Sequence, residues 1–81
     1  MLPFDIDSVA LSVTTHFRNT WLRRWGWDQY DLREALRDAY TVVRVSGTKF
    51  ELYVRKKGSK KLVVVYDEET NEVRVVTGSE G

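Results

Sequence analysis

Apolar residues recur at helical spacing near the middle of the chain. Steps of three and four residues are typical of one buried stripe along a helix, here formed by Leu32, Ala35, Leu36 and Ala39. Asp28 precedes the stripe as a good N-cap, and Asp31 adds a carboxylate near the helix N-terminus, where negative charge is favourable. These features predict a helix over residues 28–39.

A second helix is expected directly before this one. Thr14 or Thr15 can cap a helix over residues 16–25, and Gly26 follows as a natural left-handed stop. Further upstream, residues 8–13 fit two structures. Their alternation suits a strand, whereas their apolar positions also continue a helical stripe. Valine, serine and threonine are poor helix formers, so we favour the strand and keep the helix as the alternative.

After Ala39 the apolar pattern changes to a period of two, which indicates β-structure. Turn residues divide it into four predicted strands over residues 41–46, 50–56, 61–66 and 72–77. The last residues, 78–81, are expected to be frayed. The chain is thus predicted to be one α+β domain over residues 1–81, a (β)-α-α unit followed by a four-stranded antiparallel meander, with the helices packed on one sheet face.

The opposite sheet face is predicted to stay open. Alternation in the second strand places Phe50, Leu52 and Val54 on one side and Glu51, Tyr53 and Arg55 on the other. The second set is expected to lie with Val63, Val65 and Arg74 or Arg44 on the open face. Which face is open depends on how residues 8–13 fold.

Charge is distributed unevenly, although the net charge is only +1. Residues 55–61 hold five cations and no acid, whereas residues 67–72 hold four acids and no base. The chain has no cysteine and one histidine, so neither a metal site nor a cofactor is expected. The early acids, the lack of cysteine and the short apolar runs predict a cytoplasmic protein without a membrane partner.

Several short motifs resemble a family of small domains related to the RelE and BrnT toxins of prokaryotic toxin–antitoxin pairs. In the helical part they are a threonine cap that leads into His16, then Arg24, Gly26 and Trp27, the acidic cap Asp28 and a Leu-x-x-Ala-Leu helix. In the sheet they are Tyr53-x-Arg55 and the apolar runs over residues 62–65 and 75–77. The resemblance implies RNA cleavage by basic sheet residues and a tyrosine. The family's arginine four residues after the histidine is replaced here by Thr20, which puts catalysis in doubt.

The first functional hypothesis is a toxin-like RNA-binding domain, and whether it also acts as an endoribonuclease stays open. The candidate catalytic residues are His16, Arg24, Tyr53, Arg55 and Arg74. The candidate RNA phosphate contacts are Lys56, Lys57, Lys60 and Lys61. The alternatives without a functional role are that His16 only stands at the start of a helix, and that the basic hairpin is a solvated turn that protects the sheet edges from aggregation.

The second hypothesis is a non-catalytic interaction domain that forms a homodimer or binds a partner protein. An antitoxin protein is the partner that the family resemblance implies for the first hypothesis. Three tryptophans occur within seven residues, and we expect two in the core and one at a partner surface. Trp25 and Trp27 are the candidates for that surface, together with Val63 and Val65 on the open sheet face. A third hypothesis, RNA binding without chemistry, uses the same basic hairpin.

Overall fold

The computed structural model describes residues 2–80, which form a five-stranded sheet with two helices. In chain order the elements are β1 (Ala10–Val13), the first helix (residues 15–25), the second helix (Gln29–Arg37), β2 (Thr41–Arg44), β3 (Lys49–Arg55), β4 (Ser59–Asp67) and β5 (Glu72–Glu80). The strands lie in the order β1-β5-β4-β3-β2. Within the described chain, no helix is long and apolar enough to span a bilayer.

Strands β2 to β5 form the predicted antiparallel meander. The strand favoured for residues 8–13 is also present as β1, but it joins the same sheet by pairing in parallel with β5, so that Leu11 lies opposite Val73. The sheet therefore has five strands and one parallel pair, where four antiparallel strands were predicted. No local turn sets this pairing, because two helices and three strands separate β1 from β5 in the chain.

The last strand continues further than its sequence pattern indicates. Residues 78–80, expected to be frayed, pair with β4, and Glu80 lies opposite Lys60. Gly78 is buried where Phe17 and Trp25 reach the sheet. The absence of a side chain at Gly78 makes room for both rings, so the predicted end of β5 was wrong for a packing reason. Gly81 lies outside the described residues.

The first helix is anchored to β5 through its cap. Thr14 Oγ1 accepts a hydrogen bond from the Phe17 N–H at 3.1 Å and donates one to the carbonyl of Val76 at 2.9 Å. The helix has an α-helical turn (Thr15–Phe17), a π-helical segment (Arg18–Leu22) and another α-helical turn (Arg23–Trp25). Gly26 ends it with a left-handed φ of 68°, as predicted.

The second helix begins with a capping box, in which Asp28 and Asp31 each accept a hydrogen bond from the other's backbone N–H. Its buried stripe is Leu32, Ala35 and Leu36, and it ends at Arg37, two residues before the predicted limit. Both helices cover the sheet face that carries Phe50, Leu52 and Val54. The opposite face, which carries Glu51 and Tyr53, is open, and this settles the question that the fold of residues 8–13 had left undecided.

Candidate nucleic-acid interface

The five cations of the predicted basic hairpin point to different surroundings. Lys56 Nζ lies 2.5 Å from Glu34 Oε1 and 3.7 Å from an Asp31 carboxylate oxygen, so the second helix neutralises it. Lys61 Nζ lies 3.8 Å from Glu51 Oε2 on the open face. Because each of these two lysines is paired with a carboxylate, both are poorly placed to bind RNA phosphates.

The pairing of Lys56 changes the acidity of the groups around it. The hydrogen bond from Lys56 is the main cause that lowers the pKa of Glu34, and the same bond raises the pKa of Lys56. The pKa of Asp31 is lowered chiefly by the backbone N–H of Asp28, with Lys56 contributing. The three side chains thus form a local ionic cluster between β3 and the second helix.

Lys60 is buried, with only 5% of its surface exposed. Its ammonium donates to the carbonyls of Lys56 at 3.0 Å and Lys57 at 2.7 Å, and it lies 5.3 Å from the ring centroid of Trp25. A second indole, Trp27, has its centroid 5.6 Å away. Lys60 closes the β3–β4 turn from within and is not available at the surface for RNA.

The remaining two hairpin cations, Arg55 and Lys57, are exposed. The Arg55 guanidinium lies 4.6 Å from the centroid of the Tyr40 ring, near the β2 edge of the sheet. Lys57 occupies the tip of the turn with a φ of 55° and makes no ion pair with residues 2–80. Of the four predicted phosphate contacts, only Lys57 has an uncommitted ammonium at the surface.

The five predicted catalytic residues do not converge. His16 and Arg24 are exposed on the first helix, on the covered side of the sheet. Tyr53 and Arg55 lie on β3, and the Tyr53 hydroxyl donates to Glu51 at 3.4 Å on the open face.

Arg74 is also on the open face, but its register partners are Ser12 and Val65, toward the other end of the sheet. It lies 3.8 Å from Glu72. Arg44, the alternative to Arg74, pairs with Phe50 in register and so belongs to the covered face.

The predicted partner surface is largely internal. Val63 and Trp27 are buried, and Val65 and Trp25 are half-buried. Trp25 packs against Phe17, Trp21 and Trp27 with centroid distances of 5.9, 5.5 and 4.9 Å. Of the two candidates for a partner surface, Trp27 is buried and Trp25 keeps partial exposure, because the aromatic rings cover one another and the backbone at Gly78.

A basic surface that the sequence analysis did not identify lies on the first helix. Arg18, Arg23 and Arg24 are exposed, and none forms an ion pair with any carboxylate in the described part of the chain. The available signal was the absence of acids: residues 8–27 contain no aspartate or glutamate. Without acids nearby, the arginine charges on this helix are not offset locally.

The π-helical segment aligns two of these arginines. The backbone N–H of Arg23 donates to the carbonyl of Arg18, which spans five residues. In a regular α-helix, residues five apart are rotated by about 140° beyond a full turn. In the wider π-turn they follow one another along the same side of the helix, and such turns occur frequently at functional sites.

The C-terminal end of the first helix adjoins the tip of the basic hairpin. Lys60 joins them, since its ammonium contacts both the Trp25 ring and the carbonyl of Lys57. Beside this junction, the Arg24 guanidinium lies 5.5 Å from the centroid of the half-buried Trp21 ring. We refer to Arg18, Arg23, Arg24 and Lys57 as the basic helix surface.

Two hollows lie at the other end of the sheet. One of about 300 Å³ is bordered by Arg44, Phe50 and Tyr66, and a neighbouring one of about 420 Å³ by Asp67, Glu68 and Glu69. Within residues 2–80, no three acidic or histidine side chains come close enough to hold a metal ion. These hollows offer no set of converging catalytic groups.

Comparison with protein-family models, with curated proteins and with solved structures gives no match. The resemblance to the RelE and BrnT toxins therefore stays a prediction from short motifs.

Proposed function

We propose that this protein is an RNA-binding domain that holds the phosphate backbone of a single strand on the basic helix surface. The observation that carries the proposal is the set of exposed helix arginines that have no carboxylate partner among residues 2–80, within a stretch, residues 8–27, that contains no acid. Guanidinium groups suit this role because they remain charged and present planar forks that match phosphate oxygens.

The neighbouring side chains favour a single strand over a duplex. The Trp21 ring is half-buried beside Arg24, and Asn19 and Thr20 are exposed within the same π-helical segment. An aromatic face with arginine supports base stacking, and short polar side chains can bond to unpaired base edges or to a 2′-hydroxyl. In a paired duplex the base faces are stacked and the Watson–Crick edges are occupied by pairing, so neither is available to these side chains.

The proposal covers binding and not cleavage. The only histidine lies on the first helix, whereas the candidate tyrosine lies on the open sheet face and bonds to Glu51. General acid–base catalysis requires the proton-transferring groups to reach the same substrate atom or its neighbours. A toxin-type ribonuclease reaction and an antitoxin partner remain predictions of the family resemblance.

The test is fluorescence anisotropy of a labelled single-stranded RNA titrated with purified protein at several salt concentrations. We expect affinity to fall as salt rises, with a log–log slope of about −0.7 for each phosphate neutralised. Combined replacement of Arg18, Arg23 and Arg24 by glutamine should weaken binding by about a hundredfold and flatten the slope by about two units. The length of the labelled RNA is then measured in the same sample, because RNA that stays full-length has not been cleaved.

Arg74→Gln provides the matched control, because it removes an exposed arginine from the opposite sheet face. We expect this variant to bind RNA like the unmodified protein. Equal loss in Arg74→Gln and in the triple variant, or salt-independent binding, would contradict the proposed surface. Tighter binding to duplex DNA than to single-stranded RNA would contradict the proposed ligand.

A further inference from the structure

The two edges of the sheet are protected very differently. At the β1 edge, the side chain of Gln29 donates to the carbonyl of Leu11 at 3.2 Å, and Arg33 donates to the carbonyl of Val9 at 3.3 Å. The second helix thus caps backbone groups that β5 does not use. Strand β2, at the other edge, has no neighbour on its outer side within the described chain.

The backbone hydrogen bonds around β2 show which of its residues bond to β3 and which direct their backbone groups outward. Val45 N–H donates to the carbonyl of Lys49, and Tyr66 N–H donates to the carbonyl of Thr48. Because bonding alternates along antiparallel strands, Thr41 and Val43 bond inward to β3. Val42 and Arg44 therefore direct their backbone N–H and C=O groups outward from the sheet.

This edge is apolar for an exposed strand. Three of the large hydrophobic side chains with substantial exposure lie in or beside it: Tyr40, Val43 and Val45. Val43 is 42% exposed. The one charged side chain of β2, Arg44, turns back to bond the carbonyls of Ser46 at 3.3 Å and Gly47 at 2.9 Å. An exposed edge with little charge is a template for strand addition.

We propose that β2 pairs antiparallel with β2 of a second copy of this chain, across a two-fold axis that passes by Val43. In this register Val42 lies opposite Arg44 of the second copy, so all the outward backbone groups of both strands are paired. Each Arg44 faces a valine rather than another arginine. Thr41 and Val45 of opposite copies extend the contact on the open face.

The register centred on Val43 is favoured because the two neighbouring registers of the same pairing are poorer. A shift toward the C-terminus places Arg44 opposite Arg44, where like charges repel. A shift toward the N-terminus centres the contact on Val42 and moves Val45 out of the paired segment. The two-fold at Val43 pairs the outward donors and acceptors of Val42 and Arg44, avoids a charge conflict and keeps Val45 in the contact. It joins the two sheets into one of ten strands. The inference is independent of RNA binding, since it uses another surface.

A single cysteine provides the sharpest test, because the chain has none of its own. At the proposed axis, the Cα atoms of the two Val43 residues form a non-hydrogen-bonded pair about 4.5 Å apart, within the range for a disulfide. We expect Val43→Cys to form a covalent dimer under mild oxidation. Val45→Cys alone should stay uncrosslinked, because its two copies would be about 13 Å apart along the strands.

A mixture of Val45→Cys and Thr41→Cys should form the heterodimeric disulfide, since these positions are opposite each other in the proposed register. Crosslinking of Val45→Cys as efficiently as of Val43→Cys would overturn the register. Failure of Val43→Cys to crosslink, with circular dichroism showing the fold intact, would overturn the interface.

Light scattering of the unmodified protein over a concentration series gives the second test. We expect the apparent mass to rise toward that of a dimer, and Val43→Glu or Val43→Lys to raise the dissociation constant by about tenfold or more. An equimolar mixture of the two variants should recover the dimer, since opposite charges then meet at the axis. Tyr30→Glu, on the exposed side of the second helix, is the control and should leave the mass unchanged. A monomer at all concentrations, or no recovery on mixing, would overturn the proposal.

Discussion

The ammonium of Lys60 lies 5.3 Å from the centroid of the Trp25 ring while it donates to two carbonyls of the β3–β4 turn. This buried cation joins the basic hairpin to the first helix, so one side chain holds together two parts of the basic helix surface. Its positive charge is balanced by carbonyl dipoles and indole faces, and it makes no ion pair with a carboxylate of residues 2–80.

Replacing Lys60 by methionine should lower the free energy of unfolding by about 1–3 kcal/mol, because two carbonyls of the β3–β4 turn lose the ammonium that donates to them. Chemical denaturation followed by tryptophan fluorescence measures it. Lys57→Met, three residues earlier at the exposed tip, should leave stability within about 0.5 kcal/mol and should weaken RNA binding instead. Equal stability of the two variants would show that the buried contacts of Lys60 contribute nothing.

Replacing Gly78 by alanine should also destabilise the fold. A Cβ atom there would lie 3.0 Å from the Lys61 carbonyl, 3.0 Å from the Trp25 ring and 3.2 Å from the Phe17 ring. We expect a loss of about 1–3 kcal/mol by thermal or urea unfolding. Gly47→Ala is the control, because its Cβ would meet nothing within 4 Å, and stability should stay the same or rise by up to about 1 kcal/mol.

The capping box makes a distinct prediction for the second helix. Asp28→Ala removes the acceptor for the Asp31 N–H and should cost about 1 kcal/mol in the free energy of unfolding. Asp38→Ala, at the other end of the same helix, removes a negative charge from the C-terminus and should raise stability by a few tenths of a kcal/mol, about the size of a dipole effect. Urea titrations of both variants compare the two ends directly.

Stability should depend on pH through the cluster around Lys56. The pKa values of Glu34 and Asp31 are lowered in the folded protein, so the unfolded chain binds more protons in acid. The stabilisation is present above the ordinary glutamate value of 4.5 and is lost as pH falls through the lowered values.

Urea unfolding at pH 7, 4 and 3 measures this dependence. Lys56→Gln should reduce the loss of stability between pH 7 and 3, because Glu34 then keeps a pKa closer to its ordinary value. Lys49→Gln removes an exposed lysine that makes no ion pair with residues 2–80, and its pH dependence should match that of the unmodified protein. An unchanged acid limb in Lys56→Gln would contradict the role of this cluster.

Local features were readable from the chain because they depend on neighbouring residues. The cap at Asp28, the left-handed stop at Gly26 and the alternation along β3 involve contacts within a few positions, and the structure has all three. The positions of the meander strands follow from the same alternation, which also separates the two sets of side chains on β3. The structure decided which set is covered by the helices.

Contacts between distant segments were decided only by the tertiary structure. The parallel pairing of β1 with β5, the ordered end of β5 at Gly78 and the burial of Lys60 each join residues that the sequence separates. A run of lysines looks like one basic patch in the sequence. In a strand, successive side chains point to opposite sheet faces. Lys56 and Lys61 then pair with Glu34 and Glu51, and Lys60 is buried against the tryptophans, so these three lysines are not available at the surface. Three arginines without ion pairs among residues 2–80 lie on the first helix. Only the three-dimensional arrangement brings the end of that helix to the turn that carries Lys57.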